Sequence, residues 1–181
     1  VLNYLQRLSG IATRTYSYAH KIEHTPCTVL DTRKTTPGLR VLEKWAVALG
    51  GGGNHRMGLY DMVMLKDNHI DFAGGIPEAV ARTKAYLAKI NRALAIEVET
   101  RNLTEVKAAL EANVDRIMLD NFSISETKEA VEYIGGRTEV ESSGGITHDT
   151  LVPYAECGVD FISVGALTHH LKGLDMSLKA L

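Results

Sequence analysis

Short apolar, β-prone runs alternate with amphipathic helical patterns along this chain, and the alternation restricts the fold more than any other feature. There are about six such runs, at residues 27–30, 62–65, 94–98, 116–119, 138–141 and 160–164. Helical patterns cover residues 1–20, 39–49, 77–90, 103–112, 125–134 and 149–157. Strict alternation is typical of a parallel sheet whose strands are joined by helical crossovers.

Two parallel architectures fit this pattern, an open doubly wound sheet and a (β/α) barrel. A dinucleotide-binding open sheet has Gly-x-Gly-x-x-Gly in its first strand-to-helix turn, whereas residues 32–38 read Thr-Arg-Lys-Thr-Thr-Pro-Gly. Glycine-rich loops follow the fifth and sixth runs instead, where barrels often bind phosphate. We therefore predict an α/β fold, a TIM-like incomplete (β/α) barrel of about six parallel strands.

The composition excludes several classes of protein. A formal net charge of -2 over 181 residues gives no general electrostatic signature for nucleic acid or an anionic membrane. No apolar run reaches the roughly 20 residues that span a bilayer, and polar residues interrupt the first ten positions, so we expect no membrane segment and no signal peptide. The only cysteines, Cys27 and Cys157, form no disulfide framework or zinc spacing. We expect a cytoplasmic protein.

Charged, polar and small residues that could bind a substrate or catalyse a reaction follow the predicted strands at their carboxyl ends, where barrel enzymes place their active sites. They are Arg33, Lys34, Lys66, Asp67, Asn68, His69, Glu97, Glu99, Asp120, Asn121, Ser142, Ser143, Gly144, Gly145, Gly165 and Ala166. Glycine loops let backbone N–H groups approach phosphate oxygens, cations bind phosphate or carboxylate, and opposed carboxylates suit Mg²⁺. The residues alone therefore predict a barrel enzyme that handles a phosphorylated, anionic substrate with Mg²⁺.

A second cluster, Gly50–Gly53 followed by Asn54, His55 and Arg56, lies between a helix and the next strand. Simple barrel topology would place such a loop on the face opposite the active site. Spacing alone favours a flexible linker with an exposed His-Arg pair.

Three segments at the start of the chain resemble the quinolinate phosphoribosyltransferases, also called nicotinate-nucleotide pyrophosphorylases (carboxylating). They read Asp-Thr-Arg-Lys-Thr-Thr-Pro-Gly-Leu-Arg at 31–40, Gly-Gly-Asn-His-Arg-Met-Gly-Leu-Tyr-Asp at 52–61 and Leu-Lys-Asp-Asn-His at 65–69. Further matches, in the family's order, lie at 5–12, 97–99, 119–122, 141–146 and 165–169.

The resemblance implies that quinolinate reacts with phosphoribosyl pyrophosphate to give nicotinate mononucleotide, CO₂ and pyrophosphate in NAD biosynthesis. It implies that Arg33, His55 and Arg56 hold the quinolinate carboxylates, while Lys34 and Lys66 lie near the carboxylates and the phosphoribosyl donor. The resemblance also implies catalytic roles for Lys66, Glu97 and Asp120. Glu97 and Asp120 would lie near the ribose and Mg²⁺. Residues implied for the 5′-phosphate are Ser143, Gly144, Gly145, Gly165 and Ala166.

The resemblance also predicts the organisation of the longer protein. Residues 1–20 would be a helix leading from an N-terminal α/β domain, residues 21–170 the catalytic barrel, and residues 171–181 a tail packed on that domain. Family members form head-to-tail dimers, so we expect a homodimer or a higher homo-oligomer of the full-length protein. One departure is His170, where the family commonly has serine.

Three hypotheses remain open at this stage. The first is a quinolinate phosphoribosyltransferase represented by its catalytic barrel. The second is a related phosphoribosyltransferase with a different pyridine or anionic acceptor, as in the ModD-like relatives. The third is a non-catalytic fragment that serves binding or assembly.

Overall fold

The computed structural model describes residues 1–179, in which six strands alternate with helices. The strands are β1 (Thr28–Leu30), β2 (Val63–Leu65), β3 (Ile96–Thr100), β4 (Arg116–Asp120), β5 (Glu139–Ser143) and β6 (Phe161–Ser163). The helices are α1 (Leu2–Lys21), α2 (Arg40–Leu49), α3 (Asp67–Ala73), α4 (Ile76–Lys89), α5 (Leu103–Glu111), α6 (Ile124–Ile134), α7 (Leu151–Ala155) and α8 (Ala166–His169).

All strand pairs in the sheet are parallel, in the order β1-β6-β5-β4-β3-β2. The prediction of an incomplete α/β barrel with parallel strands is confirmed. Hydrogen bonds do not close the barrel, because β1 and β2 are its two edge strands. An isolated parallel bridge from Leu30 to Gly53 lies on the free edge of β1.

Side chains on the two faces of the sheet have different chemistry. Apolar residues of the strands and surrounding helices form one core, which includes the fully buried Val98, Ile117 and Ile162. The interior of a barrel of this type is usually filled by branched apolar side chains. Here the interior also holds the completely buried Glu97 and Glu141, so the sheet encloses a polar centre.

Helix α3 was missed by the sequence patterns, which treated residues 66–69 as a loop after a strand. Lys66 is the N-cap of this helix and His69 accepts from the Lys66 backbone N–H at 2.9 Å. The helix is mostly polar and short, with Ile70 its buried residue, so it has no apolar periodicity to detect. Helix α8 was missed because its four residues are too few to show a helical period.

The two ends of the described chain lie together. The backbone N–H of Leu174 donates to the Gln6 carbonyl at 3.1 Å, and Gln6 Nε2 donates to the Met176 carbonyl at 3.3 Å. The tail therefore runs along the first half of α1 and leaves Leu178 92% exposed. The predicted packing of both ends on a further domain stays a prediction, and residues 180 and 181 of the tail lie outside the described part of the chain.

No helix within residues 1–179 has the length and apolar character needed to cross a bilayer.

Candidate active site

A cavity of about 690 Å³ opens at the carboxyl ends of the strands. Most residues predicted from the sequence line it, namely Arg33, Lys34, His55, Arg56, Lys66, Asp120, Ser143, Gly144, Gly145, Gly165 and Ala166. Glu97 is the exception, because its side chain is completely buried and does not line the cavity. The structure thus places the predicted basic side chains and the predicted loops of small residues around one cavity.

His55 and Arg56 reach the cavity because the chain before them runs beside β1. The Gly53 N–H donates to the Val29 carbonyl at 2.8 Å, and the Asp31 N–H donates to the Gly53 carbonyl at 3.2 Å. This short parallel pairing turns the segment toward the carboxyl end of the barrel. The topological expectation that the cluster lies on the opposite face is therefore wrong.

The glycines before this segment permit close packing and do not form a loose linker. A Cβ atom on Gly50 would lie 2.4 Å from the carbonyl oxygen of Ala12 in α1. Gly51 has φ +85°, a left-handed conformation that side chains rarely adopt. The helix-to-strand connection can therefore pass directly against α1.

Arg33 and Arg56 form the cationic wall of the cavity. Both are half-buried, and Arg33 Nε is a buried donor without a hydrogen-bond partner within residues 1–179. Burial lowers the pKa of Arg56, and the positive charge of Arg33 lowers it further. Arg56 Nη1 donates only to a neutral carbonyl, that of Met62, at 3.2 Å. Two adjacent guanidinium groups without a carboxylate partner are suited to an anion with more than one negative charge.

Lys66, Glu99 and Asp120 form the opposite rim. Lys66 Nζ makes an ion pair with Glu99, whose side chain is 12% exposed. Asp120 accepts a hydrogen bond from Asn121 Nδ2 at 2.7 Å. Both carboxylates line the cavity, so they can act on a bound ligand directly.

Glu97 and Glu99 share one face of β3, as the sequence pattern predicts, but they lie at different depths. In the register of the sheet Glu97 pairs with Arg116, whereas Glu99 is one layer higher, beside Met118. Glu97 is thus in the middle of the barrel, below the cavity. Glu99 lines the cavity and Glu97 does not, and the role near ribose and Mg²⁺ that the resemblance implied for Glu97 stays a prediction.

His55 lies above Glu97 and Glu141 and links the buried layer to the cavity. Its Nε2 is 3.0 Å from Glu97 Oε2 and 3.4 Å from Glu141 Oε2. Burial alone lowers the pKa of His55, but the two carboxylates overcome this effect and raise it to about 9. Burial raises the pKa of Glu97. Because these groups interact strongly, the three together retain more protons near neutral pH than they would in water.

The hydrogen bond to the other ring nitrogen of His55 determines where its proton lies. The backbone N–H of Arg56 donates to His55 Nδ1 at 2.7 Å, so this nitrogen offers its lone pair. In the neutral imidazole the ring proton is therefore on Nε2, between the carboxylates, and a second proton on Nδ1, which the raised pKa favours, would break this hydrogen bond. A metal ion at His55, Glu97 and Glu141 would need the Nε2 lone pair, and this tautomer does not supply it.

The loop after β5 is built for close approach to the cavity. Gly144 has φ +95°, and a Cβ there would lie 2.3 Å from Asn121 Oδ1 and 2.8 Å from the Asn121 backbone nitrogen. Asn121 itself has φ 58°, which is uncommon for a residue other than glycine. The loops after β4 and β5 therefore pack closely against each other at the cavity wall.

This fit predicts that Gly144→Ala is much more damaging than Gly145→Ala. Gly145 has φ +62° but no heavy atom within 4 Å of its Cβ position, so alanine there costs only about 1–2 kcal/mol of backbone strain. At position 144 the clash with backbone adds to that strain. Thermal unfolding of the two variants measures the difference, and equal melting temperatures would contradict it.

Comparison with known protein families identifies the family of the chain. The family model described as the C-terminal domain of quinolinate phosphoribosyl transferase matches residues 11–179. The chain belongs to the quinolinate phosphoribosyltransferase family.

Curated relatives support the assignment over nearly the whole chain. The chain is 52% identical to the chloroplastic nicotinate-nucleotide pyrophosphorylase [carboxylating] of Oryza sativa, over 99% of this chain and 52% of the rice protein. It is 43% identical to the probable nicotinate-nucleotide pyrophosphorylase of Bacillus subtilis, over 98% of this chain and 61% of that protein. The chain thus spans about half the length of the curated relatives it matches most strongly.

Solved structures of quinolinate phosphoribosyltransferase family members have the same fold. The NadC structure from Streptococcus pyogenes superposes with a TM-score of 0.93 at 44% identity, over 99% of this chain and 62% of that one. The nicotinate-nucleotide pyrophosphorylase from Francisella tularensis gives a TM-score of 0.93 at 46% identity, over 98% of this chain and 62% of that one.

Sequence reasoning overlooked several residues of the candidate active site. Asn121 and Glu99 were recognised as strand-end residues but were given no role. Glu141 was quoted only within a motif, although it lies under His55. His169 and His170 line the cavity beside Gly165, with ring centroids 4.4 Å apart. The alternation of side chains along a strand predicts that Glu141 and Glu99 face the barrel interior. It does not predict how far each one lies below the cavity.

Proposed function

We propose that the full-length protein transfers the phosphoribosyl group of 5-phosphoribosyl 1-pyrophosphate to quinolinate and releases CO₂ and pyrophosphate, giving nicotinate mononucleotide for NAD biosynthesis. The observation that carries the proposal is the cavity wall formed by Arg33 and Arg56. Neither guanidinium has a carboxylate within 4.0 Å among residues 1–179. Quinolinate, with two adjacent carboxylates, supplies the anionic partners that these two guanidinium groups lack among residues 1–179.

The first step joins the pyridine nitrogen of quinolinate to C1′ of the donor. The nitrogen lone pair forms the N–C1′ bond while the C1′–O bond to pyrophosphate breaks and leaves its electron pair on the diphosphate. The arginine wall holds the acceptor so that its nitrogen faces C1′, a proximity effect. Positive charge develops on the sugar, and Glu99 and Asp120 are placed on the opposite rim to favour it.

The second step removes the 2-carboxylate as CO₂. The bond from ring carbon to carboxylate breaks, its electron pair stays on the ring carbon, and a proton from water replaces the lost group. The ring nitrogen is cationic after the first step and stabilises that electron pair. Arg33 and Arg56 keep the ring fixed through the 3-carboxylate, and Lys34 supplies a further cation at the cavity edge.

The 5′-phosphate of the donor fits the loops after β5 and β6. Ser143, Gly144 and Gly145 contribute one wall, and Gly165 and Ala166 contribute the other. Small residues let phosphate oxygens approach backbone N–H groups. The proposed donor phosphate therefore lies at the carboxyl ends of β5 and β6.

Magnesium is also a proposal, and the donor set on the rim fits it. Glu99 and Asp120 offer carboxylate oxygens at the cavity, which a hard cation prefers, while the buried Glu97 is out of reach. Bound Mg²⁺ supplies charge neutralisation of the pyrophosphate. Glu99 is already paired with Lys66, so Asp120 is the more available ligand.

We expect Asp120→Asn to raise the Mg²⁺ concentration needed for half-maximal turnover about tenfold, because it removes one negative charge from the rim. The check is a Mg²⁺ titration of initial rates at fixed substrate concentrations. Asp115→Asn, at the other end of β4, serves as the control and should leave the titration unchanged. An unshifted midpoint for Asp120→Asn would place the metal elsewhere.

The assembly and the cellular location of the full-length protein are also proposals. We propose a homodimer or higher homo-oligomer for the full-length protein, supported by the exposed apolar residues Val41, Trp45 and Leu49 on one side of α2. Sedimentation of the full-length protein tests it. A cytoplasmic location is likewise proposed, supported by Cys27 and Cys157 being free thiols.

An acceptor panel separates this function from its alternatives. The full-length protein is supplied with phosphoribosyl pyrophosphate, Mg²⁺ and one of quinolinate, nicotinate, benzoate or an inorganic oxyanion, and pyrophosphate release is followed. Turnover with quinolinate alone supports the proposal. Turnover only with another acceptor indicates a ModD-like enzyme, and inactivity of the full-length protein with every acceptor favours a binding role.

A further inference from the structure

Helix α2 carries two consecutive charged residues, Glu43 and Lys44, that are both completely buried. Charged side chains are almost never fully buried unless they are paired. Glu43 accepts from Arg7 at 2.7 Å and from the Thr36 backbone N–H at 3.0 Å, which ties α2 to α1 and to the loop after β1. Lys44 faces another way, toward the segment that carries His55 and Arg56.

Lys44 and Asp31 form the centre of a buried network. Their side chains make an ion pair in which both are at most 1% exposed. Lys44 Nζ also donates to the His55 carbonyl at 2.8 Å, and the His55 N–H donates to Asp31 Oδ1 at 2.9 Å. The other carboxylate oxygen, Asp31 Oδ2, accepts from Asn54 Nδ2 at 2.7 Å.

The network lies where the barrel lacks strand pairing. Gly53 forms the last backbone bridge to β1, and among residues 1–179 the segment beyond it has no ladder partner on that side. Both backbone polar groups of His55 are satisfied by Asp31 and Lys44 instead. An ion pair therefore replaces the missing ladder at the residue immediately before Arg56.

We propose that Asp31 and Lys44 are positioning residues for the acceptor: they hold the backbone at His55 so that the side chain of the next residue, Arg56, faces the bound dicarboxylate. This inference rests on the proposed function, because it assigns the effect to the quinolinate half of the cavity. Neither side chain lines the cavity, so both act through His55 and Arg56. Within residues 1–179, Asp31 and Lys44 make no hydrogen bond to the residues proposed for the donor phosphate, which lie on β5, β6 and their loops.

The geometry separates this role from a purely structural one. Loss of a residue that only stabilises the fold lowers the fraction of active protein and leaves the substrate constants unchanged. Loss of the Lys44 anchor releases the segment that binds one substrate only. The KM for quinolinate should therefore rise while the KM for phosphoribosyl pyrophosphate stays the same.

The test compares Lys44→Met with Val106→Ala in the full-length protein. Val106 is fully buried in α5, away from the network, and its truncation provides a control that lowers the melting temperature without touching the cavity. Asp31→Asn, which keeps the shape of the side chain, is a second variant in case Lys44→Met does not fold. Steady-state kinetics and amide hydrogen exchange at residues 53–57 are measured for each.

For Lys44→Met we expect the KM for quinolinate to rise roughly tenfold or more, with the donor KM changed less than about twofold, because a small misplacement of a positioning group has large effects. Amide exchange at His55 should become faster. Faster exchange with an unchanged quinolinate KM, or kinetics that match Val106→Ala, would overturn the inference alone. A wild-type protein that turns over no quinolinate would overturn the proposed function, and the inference with it.

Discussion

Replacing Arg56 by alanine in the full-length protein is expected to lower kcat/KM for quinolinate about 10²–10³-fold, since removing one partner of a desolvated charge pair costs about 2–5 kcal/mol. Arg56 is half-buried beside Arg33 and has no carboxylate partner within residues 1–179. Binding of the acceptor therefore does not break an internal ion pair that would offset its interaction with Arg56. The KM for the phosphoribosyl donor should change little.

The same substitution should not destabilise the free protein. Burial and the adjacent Arg33 lower the pKa of Arg56, which means that its charge is disfavoured in the empty cavity. Removing it relieves that repulsion, so the melting temperature should stay equal or rise, as is common for residues kept for function. Arg82→Ala, an exposed arginine on α4, is the control for charge alone. A large loss of stability in Arg56→Ala without the kinetic effect would mean that Arg56 is structural.

The second large effect is expected for Glu99→Gln, which should lower kcat about 10²–10³-fold, the usual consequence of removing one preorganised group that stabilises transition-state charge. Glu99 lines the cavity on the rim beside Asp120. Glutamine keeps its size but not its negative charge, which favours the cationic sugar. Thermal unfolding should be affected little, because the partner Lys66 is 46% exposed and remains solvated.

Glu97→Gln is the matched comparison, two residues earlier on the same strand face. Glu97 is completely buried and does not line the cavity, so an amide of the same size should change kcat less than about fivefold. Steady-state kinetics of both variants decide the assignment. A larger loss in Glu97→Gln than in Glu99→Gln would restore the role that the resemblance implied for Glu97.

Much of this fold follows from local sequence. Alternating apolar runs and helical patterns place six parallel strands to within a few residues, because each run carries its own periodicity. Arg33, Lys66, Asp120 and the glycine loops each follow a strand. Because parallel strands end at the same edge of the sheet, these residues are expected at one end of the barrel. The sequence motifs identified the family, which the family model confirms.

The remainder of the site depends on contacts that no local pattern encodes. His55 and Arg56 reach the cavity only because Gly53 pairs with β1 and Asp31 binds the next turn, at a separation of more than 20 residues in sequence. Alternation along β3 assigns Glu97 and Glu99 to one face, but their depth depends on the register with β4. The buried charges Glu43 and Lys44 read as an ordinary solvated helix surface until their partners are known.

The most direct test of the proposed chemistry uses quinolinate labelled with isotopic carbon in the 2-carboxylate. The full-length protein is incubated with this acid and Mg²⁺, with and without phosphoribosyl pyrophosphate, and released CO₂ and pyrophosphate are both measured. The proposed function predicts labelled CO₂ only when the donor is present, in a one-to-one ratio with pyrophosphate. Pyrophosphate release without labelled CO₂, or no release of either, would contradict a decarboxylating phosphoribosyl transfer at this cavity.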